Sequence, residues 1–144
     1  MEIERKFLIK EEAFPFRDYP HKELMQGYLC KSPVVRIRKE DDEYVLTYKG
    51  KGLMAREEYN LPLTKEAFEH LLTKVDGRII SKKRYLIPLG DLTIELDEFL
   101  GDHAPLLMAE VEFESLEAAN AFKAPEWFSE EVTEDPKYHN SNMI

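Results

Sequence analysis

Charged and apolar residues alternate with a period of two along most of this chain. Glu2, Glu4 and Lys6 take alternate positions at the start, with Ile3, Phe7 and Ile9 on the opposite parity. In an extended strand alternate side chains share a face, so the segment reads as a β-strand with one charged row and one apolar row. The pattern returns in Val34–Lys39, where Arg36 and Arg38 share a face, and in Tyr44–Lys49, where Thr47 and Lys49 do. Arg56 pairs with Glu58 in the same way, and Lys82 with Arg84. Toward the C-terminus the sign reverses: Glu95 aligns with Asp97, and Glu110 with Glu112 and Glu114. Strands are predicted near 2–9, 24–30, 33–39, 43–50, 55–62, 79–88, 91–99 and 107–114. Asp41-Asp42 and Gly90-Asp91 supply turn chemistry for antiparallel hairpins.

Two segments have helical spacing instead. Thr64 precedes a run whose Ala67, Phe68, Leu71, Leu72 and Val75 fall on one face, with Gly77 as its end. Ser115 opens a second, with Leu116, Ala119 and Phe122 on one face and Pro125 beyond its end. A short third helix is expected after Lys10. The tail from Val132 to Asn142 is polar; it would either fray or form a hydrogen-bonded plug over one end of a barrel.

A meander with an even number of strands can close on itself and remove its edges. The expected fold is therefore α+β but mainly β: a closed eight-stranded antiparallel barrel in a single domain spanning 1–144, with helices packed outside. A sheet with one face in water would give the same alternation. Its charges, however, would mix in sign, whereas here the middle strands are basic and the first and last acidic. Helices over the apolar rows would leave the charged rows lining a cavity.

Composition narrows the chemistry. A net charge of -9 argues against a general nucleic-acid or anionic-membrane binder, so a polyanion must be met by a local basic pocket. No apolar run reaches the roughly 20 residues of a membrane span. The single cysteine, Cys30, excludes a disulfide framework and a thiolate zinc site, and reads as packing. A cytoplasmic location follows as the default. No P-loop, dinucleotide fingerprint or zinc-protease helix is present, and Gly50-Lys51-Gly52 reads as a hairpin turn.

Basic rows opposite carboxylate rows suit a metal-bound oligophosphate. Guanidinium forks match phosphate oxygens, which makes Arg36, Arg38, Lys49, Lys82 and Arg84 the clamp candidates. Mg²⁺ and Mn²⁺ prefer oxygen ligands, which makes Glu2, Glu4, Asp97, Glu110 and Glu112 the metal candidates.

Seven elements in order resemble the CYTH superfamily, the triphosphate tunnel metalloenzymes. They are Glu2-x-Glu4-x-Lys6, Arg36-x-Arg38, Thr47-Tyr48-Lys49, Arg56-Glu57-Glu58, Lys82-x-Arg84, Glu95-Leu96-Asp97 and Glu110-Val111-Glu112. The resemblance implies an eight-stranded tunnel in which the basic rows and Glu58 hold a triphosphate and the acidic rows hold metal. It also implies that Tyr28 works with Lys6 at the reacting phosphate. Related chains often carry an acidic residue where this one has Asn60. The implied activity is hydrolysis of inorganic triphosphate to pyrophosphate and phosphate with Mg²⁺ or Mn²⁺, by a monomer or homodimer. The alternatives are an organic triphosphatase, a class IV type of adenylate cyclase, and a polyphosphate-binding module without turnover.

Overall fold

The computed structural model describes residues 1–144. Its strands are β1 (Glu2–Ile9), β2 (His21–Cys30), β3 (Val34–Glu40), β4 (Glu43–Lys49), β5 (Ala55–Arg56), β6 (Glu58–Pro62), β7 (Asp76–Leu89), β8 (Leu92–Phe99), β9 (Leu107–Glu112) and β10 (Phe128–Glu131). The helices are α1 (Lys65–Leu72) and α2 (Leu116–Ala121). Each begins as the sequence predicts: Thr64 Oγ1 accepts from the Ala67 amide and Ser115 Oγ from the Ala118 amide. The helix expected after Lys10 is only a 3₁₀ turn at Phe16–Asp18.

All strand pairs are antiparallel, in the order β10-β1-β9-β8-β7-β2-β3-β4-β6. The barrel is not the closed eight-stranded ring that the alternation predicts. β6 pairs only with β4, and the edge of β1 is met by β5 through Glu2 opposite Arg56 and Ile3 opposite Ala55. The run at 55–62 is thus two strands broken at Glu57, one for each side of the seam. The approach to β5 turns at Gly52, whose φ is +127° and where a Cβ would meet the Ala55 carbonyl oxygen at 2.2 Å. The tenth strand, β10, pairs with the C-terminal half of the same β1 edge, through Phe7 and Ile9.

Register lays the charged rows side by side. Glu4 faces Glu112 and Lys6 faces Glu110 across β1 and β9, and Arg84 faces Asp97 across β7 and β8. Arg36 faces Thr47, and Lys49 faces Glu58. The opposite parity forms the main core: Ile3, Phe7, Tyr85, Ile87, Ile94, Leu96, Ala109 and Val111 pack outside the sheet against Ala119 of α2 and the rings of Phe16 and Phe128. Arg5 pins this outer layer. Its guanidinium donates to the carbonyls of Ala119 and Phe122 at the end of α2 and to the Glu131 carboxylate on β10.

At one end of the barrel the inward rows change character. Val34 continues the row of Arg36 and Arg38, Ile80 that of Lys82 and Arg84, Phe99 that of Glu95 and Asp97, and Met108 that of Glu110. These side chains join Tyr28 and Val132 in a second apolar cluster, against which Tyr138, Met143 and Ile144 pack. The tail is therefore a plug. Val132 donates to the Lys6 carbonyl at 2.8 Å, the Lys6 amide donates to Thr133 Oγ1 at 2.9 Å, and His139 Nε2 lies 3.2 Å from the Thr133 carbonyl oxygen. No helix is long and apolar enough to cross a membrane.

His139 makes the plug sensitive to acid. Burial, then the nearby Lys6 and Arg56, push its imidazole pKa down to about 4. The unfolded chain takes up that proton near pH 6.5, so folding stability is present above that value and is lost as pH falls toward about 4. Denaturant unfolding at a series of pH values should show this loss in the native protein and a shallower slope in His139→Gln. Identical slopes would exclude His139 as a contributor.

Candidate active site

The inward rows enclose a cavity of about 350 Å³. Its lining carries Lys6, Arg36, Arg38, Lys49, Arg56, Lys82 and Arg84 together with Glu2, Glu4, Glu58, Glu95, Glu110 and Glu112. Its only apolar contributors are Tyr28, Val34 and Val45. Twelve of the residues singled out in the sequence line it; the thirteenth, Asp97, does not.

Asp97 lies behind the wall, fully buried, with both oxygens engaged. Arg84 grips it as a fork, Nε to Oδ1 at 2.8 Å and Nη2 to Oδ2 at 2.9 Å, and Lys82 Nζ lies 2.8 Å from Oδ2. Burial alone would raise the Asp97 pKa, but Arg84 and Lys82 hold it below the usual carboxylate range. Asp97 thus anchors two cations instead of presenting a free ligand. For Lys82 burial dominates and pushes its pKa down to about 7, against the attraction of Asp97.

Arg36 and Arg38 have almost nothing to neutralise them. Arg36 is only 7% exposed; its Nη2 donates to Thr47 Oγ1 at 3.2 Å, its Nε has no partner, and it forms no ion pair. Arg38 donates from Nε to Gln26 Oε1 at 2.9 Å, and its nearest carboxylate oxygen, on Glu40, is 3.9 Å away. Burial, then Arg36 and Arg84, lower the Arg38 pKa to about 9. A buried, unpaired guanidinium is costly and draws an anion.

Across the cavity the carboxylates crowd. Lys6 Nζ sits 3.7 Å from Glu4 and 3.8 Å from Glu110. Lys6, Arg84 and Lys82 overcome burial and hold Glu110 well below the ordinary range. Glu4 goes the other way, to about 8, through burial and then repulsion from Glu110. Glu2 is bound through both oxygens by Lys49 at 3.0 Å and approached by Arg56 at 3.6 Å. Glu112, exposed at the mouth, is raised by partial burial and then by Glu2, Glu58 and Glu95. This all-oxygen donor set fits Mg²⁺ or Mn²⁺, and the suppressed ionisation of Glu4 is a demand for added positive charge. No three acidic, His or Cys side chains form a ready-made metal cage. That suits a hard ion bound by a few carboxylates and completed by phosphate and water.

Several residues that build the site lie outside the set chosen from sequence, some lining the cavity and some buried behind it. Gln26, fully buried, links Arg38 to the hydroxyl of Tyr28 at 3.0 Å; it shares the parity of Tyr28, which was its only signal. Thr47 donates to Asn60 at 2.6 Å and Asn60 donates to Glu58 at 3.2 Å, so the neutral Asn60 orients Glu58. Asn140 and Ser141 come from the tail, where no periodic pattern points inward. Trp127 lies elsewhere, stacked on Phe14 in the outer layer.

The chain is similar to known proteins over almost its whole length. The chain is 44% identical to an inorganic triphosphatase of Nitrosomonas europaea, covering 99% of this chain and 95% of that protein. It is 37% identical to an inorganic triphosphatase of Acetivibrio thermocellus, covering 99% and 92%. Its fold matches the crystal structure of an inorganic triphosphatase with a TM-score of 0.72 at 40% identity, over 99% of this chain and 93% of the other. The CYTH domain model matches residues 1–141, and the chain belongs to the CYTH domain family.

Proposed function

We propose that this protein hydrolyses inorganic triphosphate to pyrophosphate and phosphate in its cavity, with Mg²⁺ or Mn²⁺. The observation that carries the reading is the Arg36 guanidinium, buried with an unpartnered Nε and no carboxylate. It lies beside Arg38 in a cavity whose lining also carries carboxylate oxygen ligands. Both relatives described above, named inorganic triphosphatases, support the same substrate.

Arg36 and Arg38 would grip phosphate oxygens from β3, with Lys82 and Arg84 joining them from β7 on the other side of β2 and Lys49 adding charge near β6. Asp97 keeps Lys82 and Arg84 in place. Glu4 and Glu110, with Glu2 and Glu112, would hold the metal. Bound Mg²⁺ or Mn²⁺ supplies Lewis-acid polarisation and charge neutralisation at the phosphoryl oxygens. Lys6, held between Glu4 and Glu110, stands where it would steady the transferring phosphoryl group or the leaving oxygen. Tyr28 accepts from Gln26, which leaves its own hydroxyl proton free to donate to the same phosphate. Glu58, oriented by Asn60, would order water at the edge of the substrate.

The lining also bears on which triphosphate is used. It has no aromatic platform apart from Tyr28, so a nucleobase or a thiamine ring would find mostly charged side chains. Comparison of kcat/KM for inorganic triphosphate, ATP and thiamine triphosphate under one metal should place inorganic triphosphate first. ATP or thiamine triphosphate equalling it, or cAMP as the main product from ATP, would overturn the assignment.

The carboxylate roles are tested by neutral isosteres. Glu110→Gln and Glu112→Gln should each keep the fold, lower turnover by roughly two orders of magnitude or more, and raise the metal concentration needed for half-maximal rate. Near-native turnover in both would remove the metal assignment. The larger loss is expected for Glu110, which also holds Lys6.

A further inference from the structure

Resting on the reading above, we propose that Asn140, from the C-terminal plug, binds the terminal phosphate of inorganic triphosphate through its carboxamide N–H groups. The tail presents this side chain to the cavity where the charged rows meet the apolar cluster that closes the barrel. Asn140 is 8% exposed, and its Oδ1 already accepts two hydrogen bonds, from Lys82 Nζ at 2.9 Å and from Gln26 Nε2 at 3.3 Å. Two donors on one oxygen settle which end of the carboxamide is which. The Nδ2 group is left with no hydrogen bond inside the protein, and it belongs to a residue that lines the cavity.

The neighbours make a donor valuable here. Lys82 donates to Asn140 and pairs with Asp97, and with three ammonium hydrogens it keeps donor capacity while lining the cavity. The hydroxyl proton of Tyr28 is free on the other side of Gln26. Lys82, Tyr28 and Asn140 thus give a cluster of free donors at the closed end of the cavity, with the mouth acidic through Glu43, Glu95 and Glu112. A linear triphosphate entering from the mouth reaches this cluster with an end group, whose extra negative charge suits it best. An amide serves better than a carboxylate at this position. It accepts from Lys82 without neutralising it, and it adds donors where an Asp would add a negative oxygen facing phosphate.

The test combines spectroscopy with an isosteric variant. In ¹H–¹⁵N spectra of the labelled protein, the Asn140 side-chain NH₂ pair is the pair missing in Asn140→Asp. Saturating inorganic triphosphate, without metal so that it is not turned over, should shift that pair strongly. Asn140→Asp keeps both contacts to Oδ1, so the empty protein should unfold at the native temperature or above it. Its dissociation constant for triphosphate should rise at least about tenfold. If triphosphate moves other resonances and leaves the Asn140 pair in place, or if Asn140→Asp binds as the native protein does, Asn140 is structural and the proposal is wrong. If triphosphate moves no resonance with or without Mg²⁺, the triphosphatase reading falls, and the proposal with it.

Discussion

Two guanidinium groups buried next to each other without a carboxylate between them set the terms for the rest of this structure. Arg36 and Arg38 cannot be relieved by rotating into water, because strand parity points both inward and register fixes them opposite Thr47 and beside Gln26. Such a site is tolerable only when it is wet and becomes favourable only when an anion fills it. The remaining architecture answers this constraint. Neutral groups, Thr47 and Gln26, hold the two arginines in place and leave their charge uncancelled. On the same side, across β2 on β7, Asp97 compensates Lys82 and Arg84 enough to keep them folded inward.

A chain of hydrogen bonds and one ion pair runs through this wall from Arg38 to Gln26, Asn140, Lys82, Asp97 and Arg84. Two of its links are amides, which transmit position without adding charge. One of them is contributed by the tail, so the segment that closes the barrel also helps to set the geometry of its contents. The carboxylate side is poised in the opposite sense. Glu4 and Glu110 share Lys6 but cannot both ionise comfortably, and Glu4 gives way to about pH 8. One side is short of negative charge and the other, despite Lys6 and Lys49, short of positive charge, a complementarity that a metal triphosphate would satisfy on both sides.

Much of this was legible in the sequence because a strand has a rigid period of two. Once Glu2, Glu4 and Lys6 face inward, the outward place of Ile3 and Phe7 follows, and likewise for Arg36, Arg38, Lys82 and Arg84. Parity could not separate Glu95, which lines the cavity, from Asp97, which is clasped behind it; that depends on the register placing Arg84 opposite Asp97. The break at Glu57 was hidden for a related reason, since Arg56 and Glu58 keep the alternation running through it. The apolar closure needs strand order before Val34, Ile80, Phe99 and Met108 can be seen to meet. Asn140 lies 114 residues from Gln26 in an aperiodic tail, so nothing local announces their contact.

The central claim, that the cavity holds uncompensated positive charge for a triphosphate, is tested most directly by the stability of Arg36→Leu measured by denaturant unfolding with and without ligand. The account predicts that the empty variant is as stable as the native protein or more so, because like-charge crowding with Arg38 is relieved. It also predicts that metal triphosphate at 100 times its native dissociation constant adds about 2.7 kcal/mol to the native protein and far less to the variant. A variant markedly less stable when empty, yet equally stabilised by triphosphate, would show that Arg36 is a structural group and would contradict the account.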